Sequence, residues 1–365
     1  MNYETAVRYL LSLGRELAAP TQASAAKFDL QNITVLAERL GRPDRAYPTV
    51  HIAGTNGKGS TAAFLEAILR DAGFRTGLNT SPHLERINER IRVSGEEVSD
   101  AMFAETFTRI QAVIEELLAE GNLRAHPTYF ESVTALAFEV FARQHVDFGV
   151  IEVGLGGRLD ATNIVTPVVS IITRVDFDHE NFLGHSLQEI AAEKAGILKS
   201  QTPAVIAAQL PEVREVLLAR ARELHCAVLE TNEVFRVKEE RVEEGCARAT
   251  VEEIATCRSY ELAPHLPGRF QVQNALNAVA AARLLLERGY RISDENIVRG
   301  IAATEWPGRI ERFATRPDVY FDGAHNPGAA KELAAVLRVI CISLSLSNRT
   351  LRSGSKDTIW KQTFP

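Results

Sequence analysis

Short apolar runs rich in β-branched residues alternate along this chain with longer stretches whose apolar positions recur every three or four residues. The runs Thr49 to Ala53, Phe148 to Val153, Val168 to Thr173 and Ala204 to Ala208 read as strands. Ser60 to Ala72, Asp100 to Glu120, Phe130 to Gln144 and Leu187 to Lys199 read as helices. Ser186, with Glu189 three residues on, gives the last of these a capping-box start. Such alternation predicts βαβ units around a mainly parallel sheet flanked by helices, an α/β fold. From Ala227 to Leu262 the texture changes: Val228, Val234, Phe235 and Val237 stand among Glu and Arg, then Ala249 to Ile254 follows, which predicts a short antiparallel excursion. Helical spacing returns at Gln271 to Glu287. Glu305 to Arg309, with Pro307 and Gly308, reads as a linker, and Val319 to Phe321 as a new strand. At the start, Met1 to Pro20 carries Glu4, Arg8, Arg15 and Glu16 at helical spacing, an amphipathic helix rather than a signal peptide.

With 365 residues, two domains are expected. Residues 1–304 form the first, 305–338 a linker and the start of the second, and 339–365 a tail of different character. The 27 residues from Val339 to Pro365 hold five serines and no alanine, and Gly354 with the closing Lys361-Gln362-Thr363-Phe364-Pro365 suggests neither a capped helix nor a closing strand. A formal net charge of -6 and the lack of any Lys/Arg block give no reason to expect nucleic acid or an anionic membrane as partner. No apolar run approaches the length of a spanning helix. Cys226, Cys246, Cys257 and Cys341 show no paired spacing, as expected of inert thiols in a reducing cytoplasm.

The strongest chemical signal is His51-Ile52-Ala53-Gly54-Thr55-Asn56-Gly57-Lys58-Gly59-Ser60-Thr61, which follows an apolar strand and opens an amphipathic helix. In that setting backbone N–H groups and a helix N-terminus cradle phosphates. Three glycines permit close approach, Lys58 supplies charge for the β- and γ-phosphates, and Ser60 or Thr61 offers a hydroxyl near a metal. A strict Walker A loop needs Gly at position 52 and Ser or Thr directly after the lysine; Ile52 and Gly59 stand there instead.

Other candidates are weaker on their own. Glu152 ends one strand, His179 lies beyond another, and Ser81 sits in a loop, at the strand ends where open parallel sheets bind ligands. A carboxylate and a hydroxyl suit Mg2+, whereas His179 reads equally as a satisfied loop histidine. Lys194, among Ala191, Ala192, Ala195 and Gly196, is either solvated or closely buried and chemically available. Lys27-Phe28-Asp29-Leu30 and Thr128-Tyr129-Phe130-Glu131 set aromatic faces beside carboxylates, which suits a flat, hydrogen-bonding ring, although on spacing alone a helix cap with core aromatics is the better reading. Asn274, Arg309 and Asp322 could each simply cap or pair.

Gly54 to Ser60 resembles the nucleotide loop of the Mur ligase superfamily, especially its folylpolyglutamate/dihydrofolate synthase branch. The resemblance continues to about Leu337 through Thr80 to Leu84, Ile151 to Asn163, Asp178-His179-Glu180, Glu193 to Ile197, Asn274-Ala275, Trp306-Pro307-Gly308-Arg309 and Asp322 to Pro327. It implies a P-loop central domain, then an incomplete Rossmann-like C-terminal domain, in a cytoplasmic monomer that joins L-glutamate to dihydropteroate or reduced folates with ATP and Mg2+. By the same resemblance, Gly54, Thr55, Asn56, Gly57, Lys58, Gly59, Ser60, Thr61, Asn274, Arg309 and Asp322 contact ATP, and Ser81, Glu152 and His179 hold the metal. It also implies that Lys194 is carbamylated (N6-carboxylysine), that His325 serves the glutamate side, and that Phe28, Asp29, Leu30, Thr128, Tyr129, Phe130, Glu131, Leu159, Asp160 and Ala161 receive the acyl substrate. Lys58, Lys194 and His325 are thus the expected catalytic set. The alternatives are another Mur-type amide ligase or a shortened ATP-binding remnant with little turnover. The tail's composition suggests a shifted reading frame or an artefactual end, with an authentic flexible tail as the alternative; aligning the encoding DNA in all frames tests this, and no coding continuation in another frame would count against the shifted frame.

Overall fold

The computed structural model describes residues 1–14, 29–243, 245–315 and 317–348, with side chains to Cys341. Its strands are β1 Thr49–Ala53, β2 Thr76–Asn79, β3 Ile91–Val93, β4 Glu96–Glu97, β5 Phe148–Glu152, β6 Val169–Ile172, β7 Ala204–Ile206, β8 Val228–Glu230, β9 Phe235–Glu243, β10 Cys246–Glu253, β11 Arg258–Leu262, β12 Glu311–Thr315 and β13 Asp318–Phe321. Its α-helices are α1 Tyr3–Ser12, α2 Gln31–Arg39, α3 Lys58–Asp71, α4 Asp100–Ala119, α5 Tyr129–Arg143, α6 Glu180–Leu183, α7 Leu187–Ala195, α8 Pro211–Glu223, α9 Thr231–Val234, α10 Phe270–Glu287, α11 Asp294–Ala302 and α12 Pro327–Asn348.

Eight strands form the main sheet in the order β4-β3-β2-β5-β1-β6-β7-β8. Pairing is parallel from β2 through β8, and antiparallel where β3 and β4 extend one edge. Every residue of β1, β5 and β6 is buried, as expected of parallel strands covered on both faces. One set of buried side chains, including Phe64, Ile68, Val279 and Ile297, joins the sheet to α3, α10 and α11. Another, including Phe103, Phe107, Phe138 and Phe141, belongs to α4 and α5. A third packs α7 and α8 over the β6–β7 side through Ile190, Ile206 and Leu217.

The predicted antiparallel excursion is the sheet β11-β10-β9, whose Val251 and Tyr260 pack into the same core as α10. Val228 is a correction: it starts β8 on the parallel sheet, ahead of the excursion. The helix expected over Leu187 to Lys199 stops at Ala195, with Gly196 as its C-cap at a point where any Cβ would fall 2.5 Å from Arg158 Cα. The expectation of neither a capped helix nor a closing strand at Gly354 and Lys361 to Pro365 falls outside the described residues. Helix α12 runs to Asn348, and Ile340 packs with Ile310 and Val336 in a small core beside Tyr320 and Leu333. Residues 349–365, and Arg15 to Pro20 of the expected first helix, lie outside the described residues.

Patterning missed β2 because it is four residues long and contains Gly77. That glycine is required: a Cβ there would come within 2.6 Å of the Phe141 ring. Among the described residues, no helix is long and apolar enough to cross a membrane.

Helix α11 crosses α3 at Gly300, where a Cβ would lie 2.6 Å from Ile68 Cα, and Asp71 pairs with Arg299 at 2.8 Å on the contact's exposed rim. Alanine normally stabilises a helix over glycine by about 0.5–1 kcal/mol, but overpacking a rigid backbone contact costs about 1–3 kcal/mol. Gly300→Ala is therefore expected to lower the urea midpoint at unchanged slope; an unchanged or raised midpoint would mean the two helices can part at no cost.

Candidate functional site

Strand β1 delivers the chain into the glycine-rich turn, and α3 leaves it at Lys58. Gly54 has φ +148, and a Cβ on it would overlap the Thr173 hydroxyl; Gly57 has φ +90, and a Cβ there would overlap the Asn274 carboxamide. Both positions therefore demand glycine. The Thr55 and Asn56 amides donate to the Arg174 carbonyl (2.9 and 3.1 Å), and the Thr55 hydroxyl donates to the Asp176 carbonyl at 2.9 Å. These bonds fasten the turn to the segment that follows β6. On its other side, Thr61 Oγ1 donates to the Asn274 carbonyl at 3.3 Å, so α10 also supports the turn. Ser60 and Thr61 are buried.

Lys58 Nζ donates to the Gly54 and Thr55 carbonyls at 3.1 and 3.3 Å, curled over the turn. Lys194, buried on α7, donates to the same Gly54 carbonyl at 2.9 Å. Burial, reinforced by the charge of Lys58, lowers the Lys194 amine to about 7, against the pull of Asp178 and Asp160. Of its two sequence readings, close burial is the one observed.

Glu152 ends β5 as a buried carboxylate and accepts the Ser81 amide at 3.2 Å. Burial raises its pKa, while Lys58, the Ser81 amide, Arg309 and Arg90 pull it back. The N-terminus of α3 brings these groups together: a Cβ at Gly59 would lie 3.2 Å from Trp306 Nε1, 3.5 Å from Glu152 Oε2 and 3.6 Å from Arg309 Nη2. A second stretch of chain thus closes on the turn. Arg92 stacks over the Trp306 ring (5.5 Å to its centroid), and Asn326 Nδ2 donates to Asn56 Oδ1 at 2.9 Å. Asp322 accepts the Ile310 and Ala324 amides, holding the two arms of that stretch in register.

His179 has φ +47, left-handed backbone uncommon outside glycine, and burial lowers its pKa although Asp178 opposes the shift. Its ring groups with Asp178 and His325. Sequence reasoning had Asp178 and Asn326 only inside quoted motifs and gave neither a role. Motif membership was the signal available for both.

The residues read as an acyl pocket divide. Thr128 and Glu131 form the capping box of α5, and Tyr129 is buried in the core under the Arg90 guanidinium. Phe130 packs where a Cβ on Gly154 would collide with its ring. Burial raises the Glu131 carboxyl, and the nearby Asp29 charge adds to the shift. Asp29 accepts the Gln31 amide at the start of α2, with Leu30 at its N-cap. Asp160 is buried and takes the Leu155 and Thr162 amides; Leu159 is partly buried and Ala161 buried. Phe28 lies outside the described residues.

A lysine that is neutral in the native state and charged when unfolded tilts stability with pH. Above about pH 7 the native amine has lost a proton that the unfolded chain keeps up to 10.5, so stability should rise across that window. In CO2-free buffer, urea unfolding of the wild type should therefore gain stability between pH 7 and pH 9.5 relative to Lys194→Met. Equal slopes in both proteins would mean that Lys194 is not held neutral.

Comparison with known proteins gives one coherent answer. The Mur ligase middle domain family matches residues 52–282. The Bacillus subtilis dihydrofolate synthase/folylpolyglutamate synthase is 39% identical over 312 residues, covering 83% of this chain and 70% of that protein. The Mycobacterium tuberculosis protein of the same name is 38% identical, covering 84% of this chain and 66% of that protein. Among solved structures, apo Lactobacillus casei FPGS superimposes with a TM-score of 0.86 at 34% identity, over 93% of this chain and 81% of the other. An FPGS–AMPPCP–folate complex superimposes at 0.87 with the same identity and coverage. The chain belongs to the folylpolyglutamate synthase/dihydrofolate synthase family of ATP-dependent Mur-type ligases.

Proposed function

We propose that this chain forms an amide between L-glutamate and a pteroate-type carboxylate, either dihydropteroate or a reduced folate, through an acyl phosphate. The observation that carries this reading is the convergence of Lys58, Glu152 and Arg309 on the N-terminus of α3. The γ-phosphoryl group of ATP passes to the substrate carboxylate, and the glutamate amine then attacks the acyl carbon and expels phosphate. Such transfer needs positioning and charge neutralisation more than covalent help from the protein.

In this reading the turn amides and Lys58 hold the phosphoryl oxygens, with Lys58 leaving the Gly54 and Thr55 carbonyls to do so. Asn274 and Asp322 complete the nucleotide contacts, and Arg309 makes them depend on closure of the 305–338 stretch. Residues 1–304 act as the nucleotide- and acyl-binding body, with Asp29, Leu30, Phe130 and the Leu159 to Ala161 turn on the acyl side. His325 serves the glutamate side.

A divalent ion suits the site, since the Glu152 carboxylate is a hard oxygen donor whose burial, which raises its pKa, is opposed by Lys58, the Ser81 amide and Arg309, and a bound cation would offset that burial further. Ser81, Glu152 and His179 would hold Mg2+, which when bound neutralises phosphate charge. Only the neutral form of Lys194 reacts with CO2, so its depressed pKa supports the carbamate reading, in which a buried amine becomes an anion beside that ion.

ATP-dependent incorporation of radiolabelled glutamate into dihydropteroate and into tetrahydrofolate, with Mg2+, tests the reading and selects the acyl substrate. Lys58→Ala should cut incorporation by at least about a hundredfold. Nucleotide binding without incorporation would favour the remnant reading; no nucleotide binding would overturn the reading of the turn.

A further inference from the structure

Asp178, His179 and His325 bring one carboxylate and two imidazoles into a single cluster, each offering a ligand atom within 4.8 Å of the others. Asp178 Oδ2 lies 3.7 Å from His179 Nε2 and 4.0 Å from His325 Nε2, and the rings stand 6.5 Å apart. We propose that these three side chains form a transition-metal site of the Zn2+ or Co2+ class, which shares His179 with the nucleotide-linked Mg2+ position and so competes with it, and which clamps the loop after β13 onto the loop after β6.

The donor set is the first reason. Two imidazoles and a carboxylate suit borderline metals, whereas Mg2+ selects oxygen. The second is the orientation of His325. Its Nδ1 lies 2.7 Å from the Gly323 carbonyl, which can only accept, so Nδ1 carries the proton and Nε2 presents a lone pair toward Asp178. A backbone carbonyl on the far nitrogen is the usual support of a metal-bound histidine. The third is backbone: His179 is held in the left-handed region ahead of the short helix α6, an uncommon state for a residue whose ring faces the cluster. Metal–ligand bonds of about 2.0–2.2 Å place neighbouring ligand atoms roughly 3.4 Å apart, so the cluster needs to contract by less than 1 Å on its two Asp178 edges. The Asn56–Asn326 pair already fixes the adjoining residue of the same loop. Lys58 and Lys194 act on His179 from the other side and weaken the site's hold on a cation.

The site itself does not depend on the ligase reading, but its effect on turnover does, because a metal that captures His325 and His179 withdraws both from catalysis. Titration with Co2+ alone, followed by calorimetry and visible absorption, tests it. The wild type should bind one equivalent with nitrogen-ligated, non-octahedral absorption bands, and His325→Ala and Asp178→Asn should each weaken binding by about tenfold or more. Glu152→Gln should leave that binding intact. His325 is largely exposed, so its variant should stay folded, as circular dichroism would show. Co2+ binding that survives both variants, or that Glu152→Gln abolishes as strongly as His325→Ala does, would overturn the proposal.

Discussion

One carbonyl oxygen carries more of this structure than any other atom. Gly54 O accepts hydrogen bonds from both Lys58 and Lys194, and it can do so only because Gly54 turns back at a φ no side chain would allow. Two ammonium groups sharing one acceptor in a buried site repel each other, and burying either costs several kcal/mol without a counterion. Here the conflict is resolved by position. Lys58 has the Glu152 carboxylate near it, which offsets its place at the positive end of a helix, while Lys194, buried on α7, gives up its proton far more readily than a free lysine.

The turn's shape follows from the sheet. Register between β1 and β6 sets Ala53 against Ile172, so Thr173 lies beside Gly54 and the Arg174 carbonyl receives the next two amides. The parallel core therefore positions the glycine-rich turn through backbone register, with the Thr55 and Thr61 hydroxyls fastening it on either side. The 305–348 stretch closes over it through a few contacts: Trp306 and Arg309 at Gly59, Asn326 on Asn56, and His325 near Asp178. Its own core is small, built on Ile310, Val336 and Ile340.

Much of this was legible in the sequence. Strands β1, β5, β6 and β7 are continuous apolar runs because both of their faces are covered, and the glycine turn is unmistakable because its backbone tolerates nothing else. Strands β2 to β4 were missed: they are short, and Gly77 exists to admit Phe141 rather than to favour a strand. Thr128 and Glu131 could not be divided between cap and pocket from spacing alone, since a capping box and a polar lining use the same residues. Helix α12 was hidden by a serine-rich composition that tertiary contacts of Ile340 overrode. The pairing of Lys194 with Gly54, 140 residues away, is a product of topology that no local pattern carries.

The neutral amine of Lys194 is the pivot on which the proposed chemistry turns, and its reactivity can be observed directly. Carbon-13 NMR of the protein equilibrated with labelled bicarbonate, beside Lys194→Arg, reads carbamate formation at this one residue. A single carbamate resonance in the wild type, absent from the variant, is the predicted result. No such resonance, or one that persists in Lys194→Arg, would contradict the assignment of Lys194 as the residue whose buried amine becomes a negatively charged carbamate.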